Sequence, residues 1–283
     1  SAKRGRAVAQ VTYQVDDKLA LIRLEAPERG NAFDAGMRLE LNRALIRYRD
    51  DDDAWVAVIC GDGGDFCVGS ADEPPASHQE RRDWAIHWSG GYVETPKPTI
   101  AAIQGICGGE GLALALGCDL RLAEESASFQ AALDSPACGP NVTGVWLVNL
   151  LGQSAALDLM WARESLDAVS AHRMGLINRL VYQGEVDERL EADEGPLPML
   201  PMQQTITTHE GTAVSGGIRL ARELLLYAPV TRSFQKETAY RSIGVPFHYA
   251  QTLEVGPNPY ASEDRIEGTR AFVEKRRPVW RNR

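Results

Sequence analysis

The stretch from Gly105 to Arg121 has the residue types and spacing best suited to chemistry, since four of its first seven residues are glycine. A buried strand is predicted to enter this turn, and a short apolar helix over 112–117 to leave it. Such a turn directs backbone N–H groups at whatever lies above it, and the helix N-terminus adds a partial positive charge. Donors of this kind stabilise a developing oxyanion. Two alternatives stay open: a phosphate-binding loop, although GxGxxG and GK[ST] are not matched, and a turn that only packs tightly.

A second run of small residues follows an apolar strand that is predicted over 55–60. It reads Phe-Cys-Val-Gly-Ser-Ala-Asp over 66–72. Two turns that each follow the end of a strand can offer one N–H donor each to the same carbonyl oxygen. The two runs together therefore predict one oxyanion-binding site.

The elements that position these turns alternate between strands and helices. Asp34 is a predicted N-cap, and the helix after it has apolar residues at helical spacing up to Tyr48. A continuously apolar strand is predicted over 55–60, which is typical of strands covered on both faces, and a second buried strand is predicted over 99–104. This alternation favours an α/β fold. Proline and glycine cluster near 195–201, so we expect an α/β core over 1–200 and a helical C-terminal region over 201–283.

Composition excludes several classes of function. The formal net charge of -9 argues against a nucleic-acid partner, because phosphate binding needs an excess of Lys and Arg. No apolar run is long enough to span a membrane, and the basic N-terminus lacks the apolar region of a secretory signal. The five cysteines show no CxxC spacing, so they are interpreted as reduced thiols of a cytoplasmic protein, with no metal site.

The two glycine-containing runs resemble the signatures of the crotonase (enoyl-CoA hydratase/isomerase) superfamily. The pattern Gly-x-x-x-Gly-x-Gly-x-x-Leu-Ala-Leu-x-Cys-Asp-x-Arg is matched without a gap over 105–121, while 66–72 matches with one extra residue before the Asp. Segments 26–32, 171–180 and 267–276 are also similar to the family. The resemblance implies a spiral of ββα units with a C-terminal helical trimerisation region, present as a homotrimer or a dimer of trimers.

The resemblance also implies roles for individual residues. The backbone N–H groups of Ser70 and Glu110 would hold the carbonyl of an acyl-CoA thioester substrate. Contacts to CoA would come from the loop around 26–32 and from the residues after Ser70, and the residues carried over are Glu28, Arg29, Ala32, Ala71 and Asp72. No separate cofactor is expected, because coenzyme A is part of the substrate.

The sequence departs from the family at both glutamates that a hydratase uses as acid and base. Ala113 and Leu133 occupy those positions, so simple hydration is expected to be slow. Three polar residues offer substitutes. Glu110 either directs its carboxylate into the pocket as a base or contributes only its N–H. Asp134 lies one residue beyond the expected position, where a strand would turn it away from the site. Asn141 cannot act as a base, but it can orient a water or a carbonyl.

The preferred hypothesis is a lyase or isomerase of this family that stabilises a thioester enolate on an atypical acyl-CoA. One alternative is a hydrolase of the same fold that cleaves an acyl-CoA or a carbon–carbon bond. The other is a non-catalytic protein that binds acyl-CoA.

Overall fold

The computed structural model describes residues 10–71, 95–131, 142–161, 165–183, 206–208 and 212–283. The described strands are β1 (Val11–Asp16), β2 (Leu19–Leu24), β3 (Val56–Gly61), β4 (Thr99–Ile103), β5 (Ile106–Gly108), β6 (Leu120–Glu124), β7 (Ser128–Gln130), β8 (Leu166–Asp167), β9 (Arg179–Gln183) and β10 (Ile206–Thr208). The described α-helices are α1 (Ala35–Asp50), α2 (Gly109–Gly117), α3 (Val142–Leu151), α4 (Gln153–Trp161), α5 (Ala168–Met174), α6 (Ala213–Leu225), α7 (Pro229–Arg241), α8 (Phe247–Ala250) and α9 (Glu263–Glu274).

Seven of these strands form one sheet in the order β1-β2-β3-β4-β6-β9-β10. The hairpin β1–β2 is antiparallel, and the other neighbours are parallel. The remaining strands form a second sheet in the order β5-β7-β8. Because the chain alternates between these two sheets and the helices, the predicted mixed α/β architecture is confirmed.

Strands β3 and β4 are buried along their whole length, as predicted for both. Side chains of a strand alternate between its two faces. Ile59 and Ile103 lie in the core shared with α1 and the small sheet. Val58 and Ile100 lie in a second core, which α6 covers from the other side. The central parallel strands are thus covered on both faces, as parallel strands usually are.

Helix α1 begins where the sequence predicts. The Asp34 carboxylate accepts a hydrogen bond from the N–H of Met37 at 2.8 Å and caps the helix. Met37, Leu41 and Tyr48 are fully buried and form the predicted apolar face. Arg38 is buried beside them, so this helix carries a cation into the core.

The helical C-terminal part is confirmed for the described segments. Helix α6 begins at Ala213, and Thr212 caps it by accepting a hydrogen bond from the N–H of Ser215 at 3.2 Å. The division of the chain near residue 200 stays a prediction, since 184–205 lie outside the described residues. None of the helices in the described part of the chain is both long and apolar enough to cross a membrane.

Candidate active site

Three extended segments meet beyond the C-terminal ends of β3 and β4. The N–H of Val68 donates to the carbonyl of Gly30 at 2.9 Å, and the N–H of Phe33 donates to the carbonyl of Gly69 at 2.8 Å. On the other side, the N–H of Gly108 donates to the carbonyl of Cys67 at 2.9 Å. The two small-residue runs predicted to act together are therefore hydrogen-bonded neighbours.

Glycine allows the two turns to approach this closely. Gly109 has a φ of +47°, a conformation that L side chains rarely adopt, and a Cβ there would lie 3.3 Å from the Cα of Gly69. A Cβ on Gly111 would lie 2.4 Å from the carbonyl oxygen of Cys67. Ser70 directly follows one of the contacting glycines and Glu110 the other, which places these two residues on adjacent turns.

Glu110 is the second residue of α2. The first N–H groups of a helix have no acceptor within the helix, and they carry the positive end of its dipole. No side chain caps this helix, because the preceding residue is Gly108. The start of α2 therefore has the backbone arrangement that suits binding of a partly negative oxygen.

The carboxylate of Glu110 pairs with Arg38. Nε of Arg38 donates to Oε2 at 2.9 Å, and Nη2 donates to Oε1 at 2.9 Å, a bidentate arrangement. Both side chains are buried, with 9% of the arginine and 8% of the glutamate exposed. The same Nη2 donates to Oγ of Ser70 at 2.8 Å and to the carbonyl of Phe33 at 3.2 Å. The sequence left the direction of this carboxylate open, and the structure directs it to Arg38.

Sequence reasoning missed Arg38, although a signal was present. Arg38 precedes Leu41 by three residues and Leu45 by seven, which places it on the apolar face of α1. A charged residue on the buried face of an amphipathic helix requires a partner of opposite charge. The spacing therefore indicates a buried ion pair, but it does not indicate which carboxylate completes the pair.

Four of the five residues predicted to contact CoA lie within the described part of the chain. Arg29 ends a short 3₁₀ turn, and its Nη1 lies 2.8 Å from Oδ2 of Asp34. Glu28 and Ala71 are exposed, and Ala32 is buried. The N–H of Ala71 donates to the carbonyl of Phe33 at 2.8 Å. Their contact with CoA stays a prediction.

Of the two positions of the hydratase glutamates, one lies within the described residues. Ala113 is buried in α2, one turn after Glu110, and its side chain offers no acid or base. Leu133 lies outside the described residues, as do Asp72, Asp134 and Asn141, which were also predicted for the site. Within the described ranges, no group of three or more His, Cys, Asp or Glu side chains is placed to hold a metal ion.

Fold and site together define a mixed α/β protein in which two glycine-containing backbone turns pack closely against each other. The sequence model of the enoyl-CoA hydratase/isomerase family matches residues 14–192. Carnitinyl-CoA dehydratase of Salmonella enteritidis PT4 is 31% identical over 271 residues, covering 93% of this chain and 94% of that protein. The chain belongs to the enoyl-CoA hydratase/isomerase family, and the predictions of the crotonase superfamily and of an enzyme of this family are confirmed.

Solved structures agree on the fold. An enoyl-CoA hydratase from Bacillus anthracis superposes with a TM-score of 0.80 at 22% identity, covering 97% of this chain and 100% of that chain. An enoyl-CoA hydratase/isomerase from Mycobacterium paratuberculosis gives a TM-score of 0.76 at 27% identity, covering 97% and 99%. These likenesses confirm the crotonase-type fold, and the trimeric state of the chain stays a prediction.

Proposed function

We propose that this chain binds an acyl-CoA thioester and stabilises the enolate of its acyl group, with the backbone N–H groups of Ser70 and Glu110 as the donors. The observation that carries the proposal is the close approach of the two turns: the N–H of Gly108 donates to the carbonyl of Cys67 at 2.9 Å, and a Cβ on Gly109 would lie 3.3 Å from the Cα of Gly69. A thioester oxygen bound between the turns would meet one donor from each. Negative charge develops on that oxygen as the α-carbon loses its proton, so the two donors bind the enolate more tightly than the thioester.

The side chain of Glu110 receives a different role from its N–H. A general base needs an oxygen that can reach a proton of the substrate. Both oxygens of Glu110 accept hydrogen bonds from Arg38, and the side chain is buried. This geometry favours the interpretation that Glu110 contributes its N–H to the site, while its carboxylate fixes the turn at the start of α2 through Arg38. Asp134 is then the remaining carboxylate candidate for the acid–base group, with Asn141 orienting a water or the acyl group.

The type of reaction follows from the enolate. Carnitinyl-CoA dehydratase, the relative at 31% identity, is named for removing water from an acyl-CoA. We expect a reaction of the same broad class, a lyase or an isomerase acting through the α-carbon. Because Ala113 replaces one hydratase glutamate, the acid–base group must lie elsewhere, and an acyl group other than a simple 2-enoyl chain is expected.

Deuterium exchange tests the proposal without knowledge of the natural acyl group. Butyryl-CoA is incubated with the protein in D₂O, and mass spectrometry counts the deuterium atoms gained at the α-carbon. Enolate formation predicts exchange well above the protein-free rate. Binding of butyryl-CoA without exchange would contradict the proposal and favour the non-catalytic alternative, while release of CoA would favour the hydrolase.

Two variants identify the base in the same assay. D134N is expected to lower the exchange rate by about 10²-fold or more, which is the usual contribution of a general base to the rate. E110Q is expected to keep more than a tenth of the exchange rate, since the glutamine oxygen still accepts a hydrogen bond from Arg38. The reverse pattern would assign the base to Glu110.

The exposed apolar side chains of the C-terminal helices support an oligomer. Phe247, Phe272 and Val273 are each more than 70% exposed, and burial of such a side chain stabilises by roughly 1.5–3 kcal/mol. A homotrimer that covers them is the assembly we propose, and light scattering on the purified protein tests it. A monomer at micromolar concentration would contradict this assembly.

A further inference from the structure

We infer that Arg38 is a positioning residue, which ties the two turns of the oxyanion site together and fixes the distance between their N–H donors. This inference rests on the proposed function of those turns. Arg38 belongs to neither of these two turns, because it lies near the N-terminal end of helix α1. Its role would be to act through Ser70 and Glu110 on the substrate, without a contact of its own to the reacting atoms.

One guanidinium group reaches both donor residues. Its Nη2 lies 2.8 Å from Oγ of Ser70 on one turn and 2.9 Å from Oε1 of Glu110 on the other. Nε adds a second hydrogen bond to Glu110 at 2.9 Å. A guanidinium is planar and its donors have a fixed geometry, so it holds two acceptors at a set separation. Lysine has no such fork, which explains why an arginine suits this position.

The same side chain also fixes the segment that supports Ser70. Nη2 of Arg38 donates to the carbonyl of Phe33 at 3.2 Å. Phe33 pairs in parallel with Ser70, and its carbonyl accepts the N–H of Ala71 at 2.8 Å. The guanidinium thus contacts the strand pair that sets the direction of the Ser70 backbone, as well as the Ser70 side chain.

A role in stability alone does not account for the pair. Buried ion pairs are often no more stabilising than apolar residues of similar size, because both charges lose their hydration. Arg38 and Glu110 are both buried, with 8% and 7% of the residue exposed. What the pair adds is a defined geometry between α1 and the two turns.

Geometry of this kind matters for rate. A displacement of about 1 Å at a catalytic site can lower the rate by about 10²-fold, because donors must meet the oxygen where charge develops. Loss of the hydrogen bonds of Arg38 should therefore affect turnover more than the binding of substrate.

The test compares the wild type with R38M/E110A, which removes both charges of the pair. The variant E237A/R241M is the matched control, because it removes another salt bridge, the i,i+4 pair of α7. The two readouts are the rate of α-proton exchange in butyryl-CoA and the infrared stretch of a ¹³C-labelled thioester carbonyl in bound butyryl-CoA. The infrared band reports polarisation of the carbonyl with no turnover required.

For R38M/E110A we expect a fall in the maximal exchange rate of at least tenfold, with a change of less than threefold in KM. The carbonyl band should return most of the way to its position in free butyryl-CoA. The control should match the wild type in both readouts. A folded R38M/E110A protein with a wild-type exchange rate and a wild-type carbonyl band would overturn the inference while leaving the proposed function intact.

The remaining outcomes are also decisive. If the wild type binds butyryl-CoA without any shift of the carbonyl band, the oxyanion site itself is refuted, and the role of Arg38 with it. If R38M/E110A fails to fold, R38K replaces it, since this variant keeps the charge and loses the fork. A carbonyl band at an intermediate position and a reduced maximal exchange rate in R38K support the positioning role of Arg38. A folded R38K protein with the carbonyl band and the exchange rate of the wild type refutes it.

Discussion

Replacement of Gly111 by alanine tests the contact between the two turns most directly. The new Cβ would lie 2.4 Å from the carbonyl oxygen of Cys67, 2.5 Å from its Cβ and 2.9 Å from its sulfur. These atoms belong to a buried backbone and a short side chain, so α2 must move away from the 66–71 turn. Overpacking of this kind destabilises the fold by about 3 kcal/mol at the upper end. Alanine has a higher helix propensity than glycine, which stabilises the helix by about 1 kcal/mol. We expect G111A to lose about 2 kcal/mol of unfolding free energy.

The same displacement should reduce function. A shift of about 1 Å between the turns is expected to lower the maximal rate of α-proton exchange by about 10²-fold. Urea unfolding measures the stability, and deuterium incorporation into butyryl-CoA measures the rate. Gly64 provides the control, because a Cβ there meets nothing within 4 Å; G64A should stay within about 0.5 kcal/mol of the wild type and exchange at its rate.

Two results would refute this reasoning at different points. A G111A protein as stable as the wild type would show that the turns are not packed against each other as described. A destabilised G111A that exchanges α-protons at the wild-type rate would show that the turns touch but do not form the oxyanion site.

Three further predictions concern the rest of the molecule. Arg232 is buried, and no hydrogen-bond partner for its three side-chain nitrogens is found among the described residues. Burial lowers its pKa to about 10. R232M should therefore raise the unfolding free energy by about 1 kcal/mol in a urea titration, and a large loss of unfolding free energy would contradict this. Hydrogen bonds from Arg276, and then from the N–H of Val279, lower the pKa of Glu267 from 4.5 to about 2. Stabilisation by Glu267 is then fully present above about pH 4.5 and is lost as the pH falls towards 2, so the gap in thermal midpoint between the wild type and E267Q should shrink over that interval; a constant gap would refute the linkage. Burial raises the pKa of Cys67 to about 12 and of Cys60 to about 11, so neither thiol should react with iodoacetamide at pH 8 until urea unfolds the chain, as mass spectrometry would show.

Much of the fold could be predicted from the sequence because it depends on local patterns. The stretches 55–60 and 99–104 predicted buried strands, and both are buried. Asp34 predicted the start of α1, and it caps that helix. The spacing of glycines over 105–121 predicted a turn into a helix and, by resemblance, the family itself. In each case the signal lies in neighbouring residues of the chain, so no distant partner is needed for the prediction.

Only the tertiary structure decided what the side chain of Glu110 does. Arg38 and Glu110 are 72 positions apart in the chain, and both orientations of the carboxylate were compatible with the sequence. The choice depends on which side chain α1 presents to the start of α2, and this follows from the packing of α1, β3 and the two turns around one core. Local sequence determines the conformation of each turn, whereas the partner of a buried charge is determined by the elements that the fold brings to face it.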